Sequence, residues 1–219
     1  MNGPVVDQVR LTEIFLSLQG ESTSVGRPTV FVRLTGCPLR CQYCDTEYAF
    51  HGGTVTPLSD IFAQVADFGV GHVCVTGGEP LAQPGALPLL RGLCDQGLNV
   101  SLETSGAMDI APVDARVRRI VDIKTPDSGE VARNRWSNLE HLKAGDELKF
   151  VLCSRQDYDW ARMKCDELKL YELDVEILFS PSAQQLPATE LADWIVADRL
   201  PVRMQVQLHK LLWGDEPGR

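Results

Sequence analysis

Apolar and polar positions along this chain follow two rhythms that keep changing places. Short β-branched or aromatic runs read as strands: Leu11-Thr12-Glu13-Ile14-Phe15-Leu16-Ser17-Leu18, Thr29-Val30-Phe31-Val32-Arg33-Leu34, His72-Val73-Cys74-Val75-Thr76, Leu98-Asn99-Val100-Ser101-Leu102, Arg119-Ile120-Val121-Asp122-Ile123, Asp146-Glu147-Leu148-Lys149-Phe150-Val151-Leu152 and Val175-Glu176-Ile177-Leu178-Phe179. Between most of them the period lengthens to that of a helix. Leu58, Ile61, Phe62, Val65 and Phe68 share one helical face, with Thr56-Pro57 as the expected N-cap and first-turn proline. Leu87, Leu90, Leu93 and Cys94 form a second stripe that stops at Gly97. Tyr158, Ala161, Cys165 and Leu168 form a third behind a Ser154 cap, and Leu191, Trp194 and Ile195 mark a helix near 188–198. The chain closes with Val202-Arg203-Met204-Gln205-Val206-Gln207-Leu208-His209.

Strand alternating with helix implies a parallel sheet with right-handed crossovers. About six strands are too few for a closed eight-stranded barrel, so the expected fold is α/β, an open partial (β/α) barrel, as one domain over residues 1–219 with a flexible tail from Gly214. The polar and glycine-rich clusters at 36–46, 76–80, 103–106, 124–126 and 180–181 all fall just after predicted strands. In parallel α/β architectures that edge is where ligands bind, so these clusters belong to one site.

Composition narrows the function. The formal charge is −9, and the densest basic run is Arg116-Val117-Arg118-Arg119, so the footprint of a nucleic-acid binder is missing and a small-molecule substrate is expected. No apolar run approaches a membrane span and no apolar signal core opens the chain, which points to the cytoplasm, where thiols stay reduced. Of the seven cysteines, Cys74, Cys94, Cys153 and Cys165 sit singly in apolar patterns and read as core residues.

The other three, Cys37, Cys41 and Cys44, stand at Cys-x3-Cys-x2-Cys spacing in one loop directly after a strand. Thiolates suit zinc and iron–sulfur clusters alike. A structural zinc site would need a fourth ligand, such as the distant His51, because no second close pair follows. A [4Fe–4S] cluster on three cysteines instead leaves one iron free to bind a small molecule. Arg33 is the other anomaly, a charge inside an apolar strand that calls for an anionic partner.

The cysteine loop, with Tyr43 before its last thiol, resembles that of the radical S-adenosylmethionine (SAM) enzymes, and Gly77-Gly78-Glu79-Pro80 is similar to their Gly-Gly-Glu-Pro motif. The resemblance implies a [4Fe–4S] cluster on Cys37, Cys41 and Cys44, and SAM held by Tyr43, Gly78, Glu79, Glu103, Ser105, Lys124, Thr125, Pro126 and Ser180. Ser17-Leu18-Gln19-Gly20-Glu21, Phe31 to Cys37, Cys44-Asp45-Thr46 and Gln207-Leu208-His209-Lys210 resemble the 7-carboxy-7-deazaguanine synthase family. Membership would imply a lyase of queuosine biosynthesis that converts 6-carboxy-5,6,7,8-tetrahydropterin to 7-carboxy-7-deazaguanine with loss of ammonia. It would also imply Mg2+ on Thr46, an external flavodoxin-like one-electron reductant and a homodimer. The substrate would then meet Leu18, Gln19, Gly20, Glu21, Arg33, Thr76 and His209, the first four on a short N-terminal extension, and no residue is assigned as acid or base. A glycyl-radical-activating enzyme, which acts on a protein, shares the cluster and the glycine motif, and a zinc-stabilised binding protein shares the thiols.

Overall fold

The computed structural model describes residues 6–214, 216 and 218. Among the described residues nine strands form one sheet: β1 (Gln8–Leu18), β2 (Pro28–Leu34), β3 (Thr54–Pro57), β4 (His72–Gly77), β5 (Asn99–Thr104), β6 (Arg118–Ile123), β7 (Glu147–Leu152), β8 (Glu176–Pro181) and β9 (Arg203–Met204), in the order β3-β1-β2-β4-β5-β6-β7-β8-β9. From β2 onward every pairing is parallel. The first and last strands of that order do not pair, so the barrel is partial and open, as the strand–helix alternation predicts.

Two features differ from the sequence reading. The segment 54–57 is an antiparallel edge strand, so Thr56 does not cap the following helix; Pro57 takes that place without a side-chain bond. The closing segment is extended only over Arg203–Met204 and then turns into a short helix. The helices are α1 (Leu58–Asp67), α2 (Ala86–Asp95), α3 (Arg155–Glu167), α4 (Ala188–Asp198) and α5 (Leu208–Trp213). Ser154 caps α3 as expected, its hydroxyl accepting the Asp157 N–H at 3.2 Å. Cys74, Cys94, Cys153 and Cys165 are buried.

The sheet's two faces have opposite chemistry because strand side chains alternate. Val30, Val32, Leu34, Val73, Val75, Val100, Leu102, Val121, Ile123, Leu148, Phe150, Leu152, Ile177 and Phe179 belong to the core that holds Ile61, Leu89, Leu90, Leu93, Ala161, Cys165 and Leu191 of the helices. The alternate positions Phe31, Arg33, Thr76, Glu103, Ile120, Asp122, Lys149 and Val151 line a cavity inside the curve of the sheet. Apolar packing thus stabilises the outside of the barrel and leaves the inside free to be polar.

Candidate functional site

One cavity of about 520 Å³ gathers most of the predicted site. Cys37, Cys41, Tyr43, Cys44, Thr46, Thr76, Gly78, Glu103, Ser105, Lys124 and Ser180 line it from the carboxyl ends of the strands, and Leu18, Gln19, Gly20, Glu21, Arg33 and His209 complete its wall. Glu79, Thr125 and Pro126 do not line it. The Glu79 carboxylate is fully buried and accepts from Leu81 N–H at 2.9 Å, from the Thr104 hydroxyl at 2.9 Å and from both the N–H and hydroxyl of Ser105. It ties the end of β4 to the end of β5. The Thr125 hydroxyl, equally buried, serves Val151 O at 3.0 Å and Asp157 at 2.9 Å, and Pro126 opens a 3-10 turn behind the wall.

The cysteine loop leaves β2 and is seated on the glycine pair at the end of β4. A Cβ on Gly77, whose φ is 136°, would stand 2.1 Å from Leu34 O, and one on Gly78 would stand 2.2 Å from Gly36 O. Gly77 is therefore required by contact with the end of β2 and Gly78 by contact with the loop's own backbone, and the Glu79 N–H donates to Gly36 O at 2.9 Å. All three thiols are half-buried and free, and burial pushes the Cys41 thiol up to about 11. Among the described residues no three Cys, His, Asp or Glu side chains converge on one metal ion. His51, the fourth ligand of the zinc alternative, is exposed and lies outside the cavity.

The inner wall carries paired charges that sequence alone did not pair. Arg33 donates from Nε to Glu13 at 2.7 Å, and its guanidinium lies between the rings of Phe15 and Tyr48, 5.7 and 5.8 Å from their centroids. Lys149 meets Glu21 at 2.5 Å, and Lys124 meets Asp122 at 2.8 Å. Burial disfavours the charge of both lysines, yet Asp122 and, for Lys149, Glu21 outweigh it and raise both above the ordinary lysine value. Glu103 stands with Gln19 and Thr76: it accepts from Thr76 Oγ1 at 3.0 Å and from Gln19 Nε2 at 3.4 Å. The other Asp122 oxygen and the Tyr43 hydroxyl are buried without a protein partner, and both residues line the cavity.

The C-terminal segment closes one side. The Leu208 N–H donates to Gly20 O at 2.9 Å, Gln207 donates to Glu21 at 2.7 Å and to Asp45 at 3.1 Å, and His209 packs against Gly20. The tail expected to be flexible lies partly outside the described residues; of it, Gly214, Glu216 and Gly218 line the cavity.

The radical SAM superfamily model matches residues 31–127, from β2 through the turn after β6. The 7-carboxy-7-deazaguanine synthase of Chlorobaculum tepidum is 42% identical over 95% of this chain and 96% of its own length. That of Koribacter versatilis is 40% identical over 95% and 98%. The chain belongs to the 7-carboxy-7-deazaguanine synthase family. QueE from Escherichia coli, 24% identical, shares the fold with a TM-score of 0.75 over 92% of this chain and 95% of that one.

Radical SAM membership brings a [4Fe–4S] cluster and SAM, and the donor set fits both. Three thiols of one loop face the cavity, each available to a different iron, and the unpartnered Asp122 oxygen and Tyr43 hydroxyl offer polar contacts beside them. Sequence reasoning missed Glu13, Tyr48, Asp122 and Lys149 as neighbours of the site, and it named Asp45 and Gln207 in motifs without giving them a role. For Asp122 and Lys149 a signal was available: each is a charge in an apolar strand at an alternate position, the same anomaly that singled out Arg33.

Proposed function

We propose that the inner part of the cavity, between Gln19, Thr76, Glu103 and Arg33, holds 6-carboxy-5,6,7,8-tetrahydropterin, and that the part next to the cysteine loop holds SAM. The reaction is that of the family, ring contraction to 7-carboxy-7-deazaguanine with release of ammonia. Held beside Cys37, Cys41 and Cys44, the cluster and SAM would supply one-electron radical chemistry at C6 of the substrate.

The observation that carries the reading is the trio Gln19, Thr76 and Glu103, joined by hydrogen bonds in the same cavity as the three thiols. The pyrimidinone edge of a pterin offers N–H donors beside a carbonyl acceptor. A carboxylate flanked by an amide and a hydroxyl answers both, so Glu103 serves the substrate rather than SAM. Arg33, held rigid by two rings and Glu13, presents its free guanidinium edge to the substrate carboxylate. Lys124, Ser105, Gly78, Tyr43 and Ser180 face SAM, whose carboxylate suits the Lys124 ammonium. Glu79, Thr125 and Pro126 support that surface from behind. Thr46, directly after the cysteines and donating to Asp45 at 2.8 Å, is the Mg2+ ligand, and this hard ion takes its remaining ligands from water and substrate oxygen. His209 closes the substrate side against Gly20.

No helix among the described residues is long and apolar enough to cross a membrane. The enzyme works in the cytoplasm, as a homodimer, and takes its electron from a flavodoxin-like carrier. The decisive experiment is anaerobic reconstitution with iron and sulfide, followed by SAM, Mg2+, reductant and 6-carboxy-5,6,7,8-tetrahydropterin, with mass spectrometry of the products. The reading expects 7-carboxy-7-deazaguanine with SAM largely retained. Accumulation of 5′-deoxyadenosine without the deazaguanine would overturn the substrate assignment and leave the radical machinery standing.

A further inference from the structure

The residues assigned to the pterin at 19–21 sit on a loop whose position is over-determined from a side remote from the chemistry. Gln19 N–H donates to Arg27 O at 2.8 Å and Gly26 N–H to Gln19 O at 2.8 Å, which closes the loop at its neck. Its tip contains Ser22 at φ 66°, a left-handed conformation that a non-glycine residue keeps only when its surroundings impose it. Ser22 is itself buried, but the side of the loop below Thr23 and Ser24 is not packed. A second cavity of about 520 Å³ lies there, lined by Thr23, Ser24, Arg27 and Arg118 and sharing Gln19 with the first.

What holds the tip is polar. Glu147, at the start of β7 and 1% exposed, accepts the Thr23 N–H at 3.2 Å and the Thr23 hydroxyl. Arg118, at the start of β6, donates to Thr23 Oγ1 at 3.1 Å and Ser24 Oγ at 3.0 Å, and stands 4.0 Å from the Glu147 carboxylate. Gln205 accepts the Ser22 N–H at 2.8 Å. Burying a carboxylate with only a distant cation is unfavourable unless hydrogen bonds satisfy it, and Thr23 supplies them. Glu147 does not line the substrate cavity, so it has no contact with ligand.

We infer that Glu147 is a positioning residue: by gripping Thr23 from the amino-terminal edge of the barrel it sets where Gln19, Gly20 and Glu21 meet the substrate. The inference rests on the substrate assignment above. Preorganising a binding loop lowers the cost of ordering it on association, so its loss is read in substrate affinity more than in turnover.

The test compares reconstituted holoenzymes carrying Glu147→Ala, Glu147→Gln and Thr23→Val. Glu147→Ala removes bonds to a charged acceptor and should raise the KM for the pterin about tenfold or more, with kcat changed less than about twofold. Glu147→Gln, which keeps one acceptor, recovers part of the loss, and Thr23→Val shifts KM in the same direction by less. SAM cleavage without pterin is unchanged in all three, and amide hydrogen exchange across 19–27 is faster in proportion to the KM shift. An unchanged KM in both Glu147→Ala and Thr23→Val, or a fall in kcat with KM unmoved, overturns the inference. If Glu147→Ala fails to fold, Thr23→Val alone decides by the same criteria. Should the unsubstituted enzyme form no deazaguanine, the substrate reading fails instead; the grip itself is then judged by exchange at 19–27, and equal exchange in variant and parent would overturn it.

Discussion

Gly20 shows how a single missing side chain can be a structural statement. A Cβ there would stand 2.1 Å from Nδ1 of His209, so the loop after β1 and the start of α5 touch where Gly20 has no side chain. Gly20→Ala must push the imidazole away, and overpacking of this kind costs about 1–3 kcal/mol. We expect Gly20→Ala to lower the melting temperature and raise the pterin KM in the parent background, but to add almost nothing to His209→Ala, where the obstacle is gone. A double-mutant cycle reads this directly, and additive effects would show that the two residues do not meet. The sequence marked Gly20 as part of a motif but could not name its partner, which is nearly the whole chain length away. Arg33 is the opposite case. Its anomaly was legible, while its partner depended on a register shift between Leu11 and Glu13 that places Glu13 opposite Arg33 across the β1–β2 pair. A slip of one residue turns a side chain to the other face, and nothing in the local pattern announces such a shift.

At the scale of elements, the strands and helices that build the parallel sheet were readable because each has an apolar face long enough to show its period. The antiparallel edge strand at 54–57 is four residues long and α5 is six, too short for a period to emerge, and the 3-10 turns between β6 and β7 carry no periodic signal at all. The glycines at the end of β4 were legible as a motif, and the fold adds a reason for them besides their place in the cavity wall: Gly77 meets the end of β2 and Gly78 seats the cysteine loop. Gly78→Ala would place a Cβ 2.2 Å from Gly36 O and 2.8 Å from Cys37 Cβ, displacing the loop that must present three thiols to one cluster. We expect the variant to retain its far-ultraviolet circular dichroism, since the core strands are untouched, but to take up less than about half the parent's iron on reconstitution, because cluster ligation demands all three thiolates in register. Parental iron content and visible absorption would mean that the loop tolerates the shift and that the glycine serves SAM alone.

Across the whole molecule the decisive asymmetry is between the two faces of the sheet: aliphatic residues pack outward against the helices, and Arg33, Lys124, Lys149, Glu103 and Asp122 point into or border the cavity. Arg33, Lys124, Lys149 and Asp122 are held in ion pairs and Glu103 by hydrogen bonds from Thr76 and Gln19, since an uncompensated charge in such a place is strongly destabilising. Lys149 is central to the balance, in contact with Glu21 and acting at longer range on Asp122. Burial pushes the Asp122 carboxyl up, but Lys124 and Lys149 together pull it below the ordinary aspartate value. A depressed carboxyl contributes stability that is fully present above its unfolded value and is lost as pH falls through its folded one. Lys149→Met keeps the volume, removes one of the two cations, and leaves Glu21 with the Gln207 amide but no cation. Breaking a buried pair in this way costs about 3–5 kcal/mol, so the urea midpoint of the apo-protein should drop sharply at pH 7. Below about pH 4, as the pH falls through the depressed Asp122 value, the difference between variant and parent should narrow, because Asp122 then loses the charge that the lysine was stabilising. A gap of equal size at both pH values would mean that Lys149 acts through packing of its aliphatic stem, and that the inner charges are balanced by other groups.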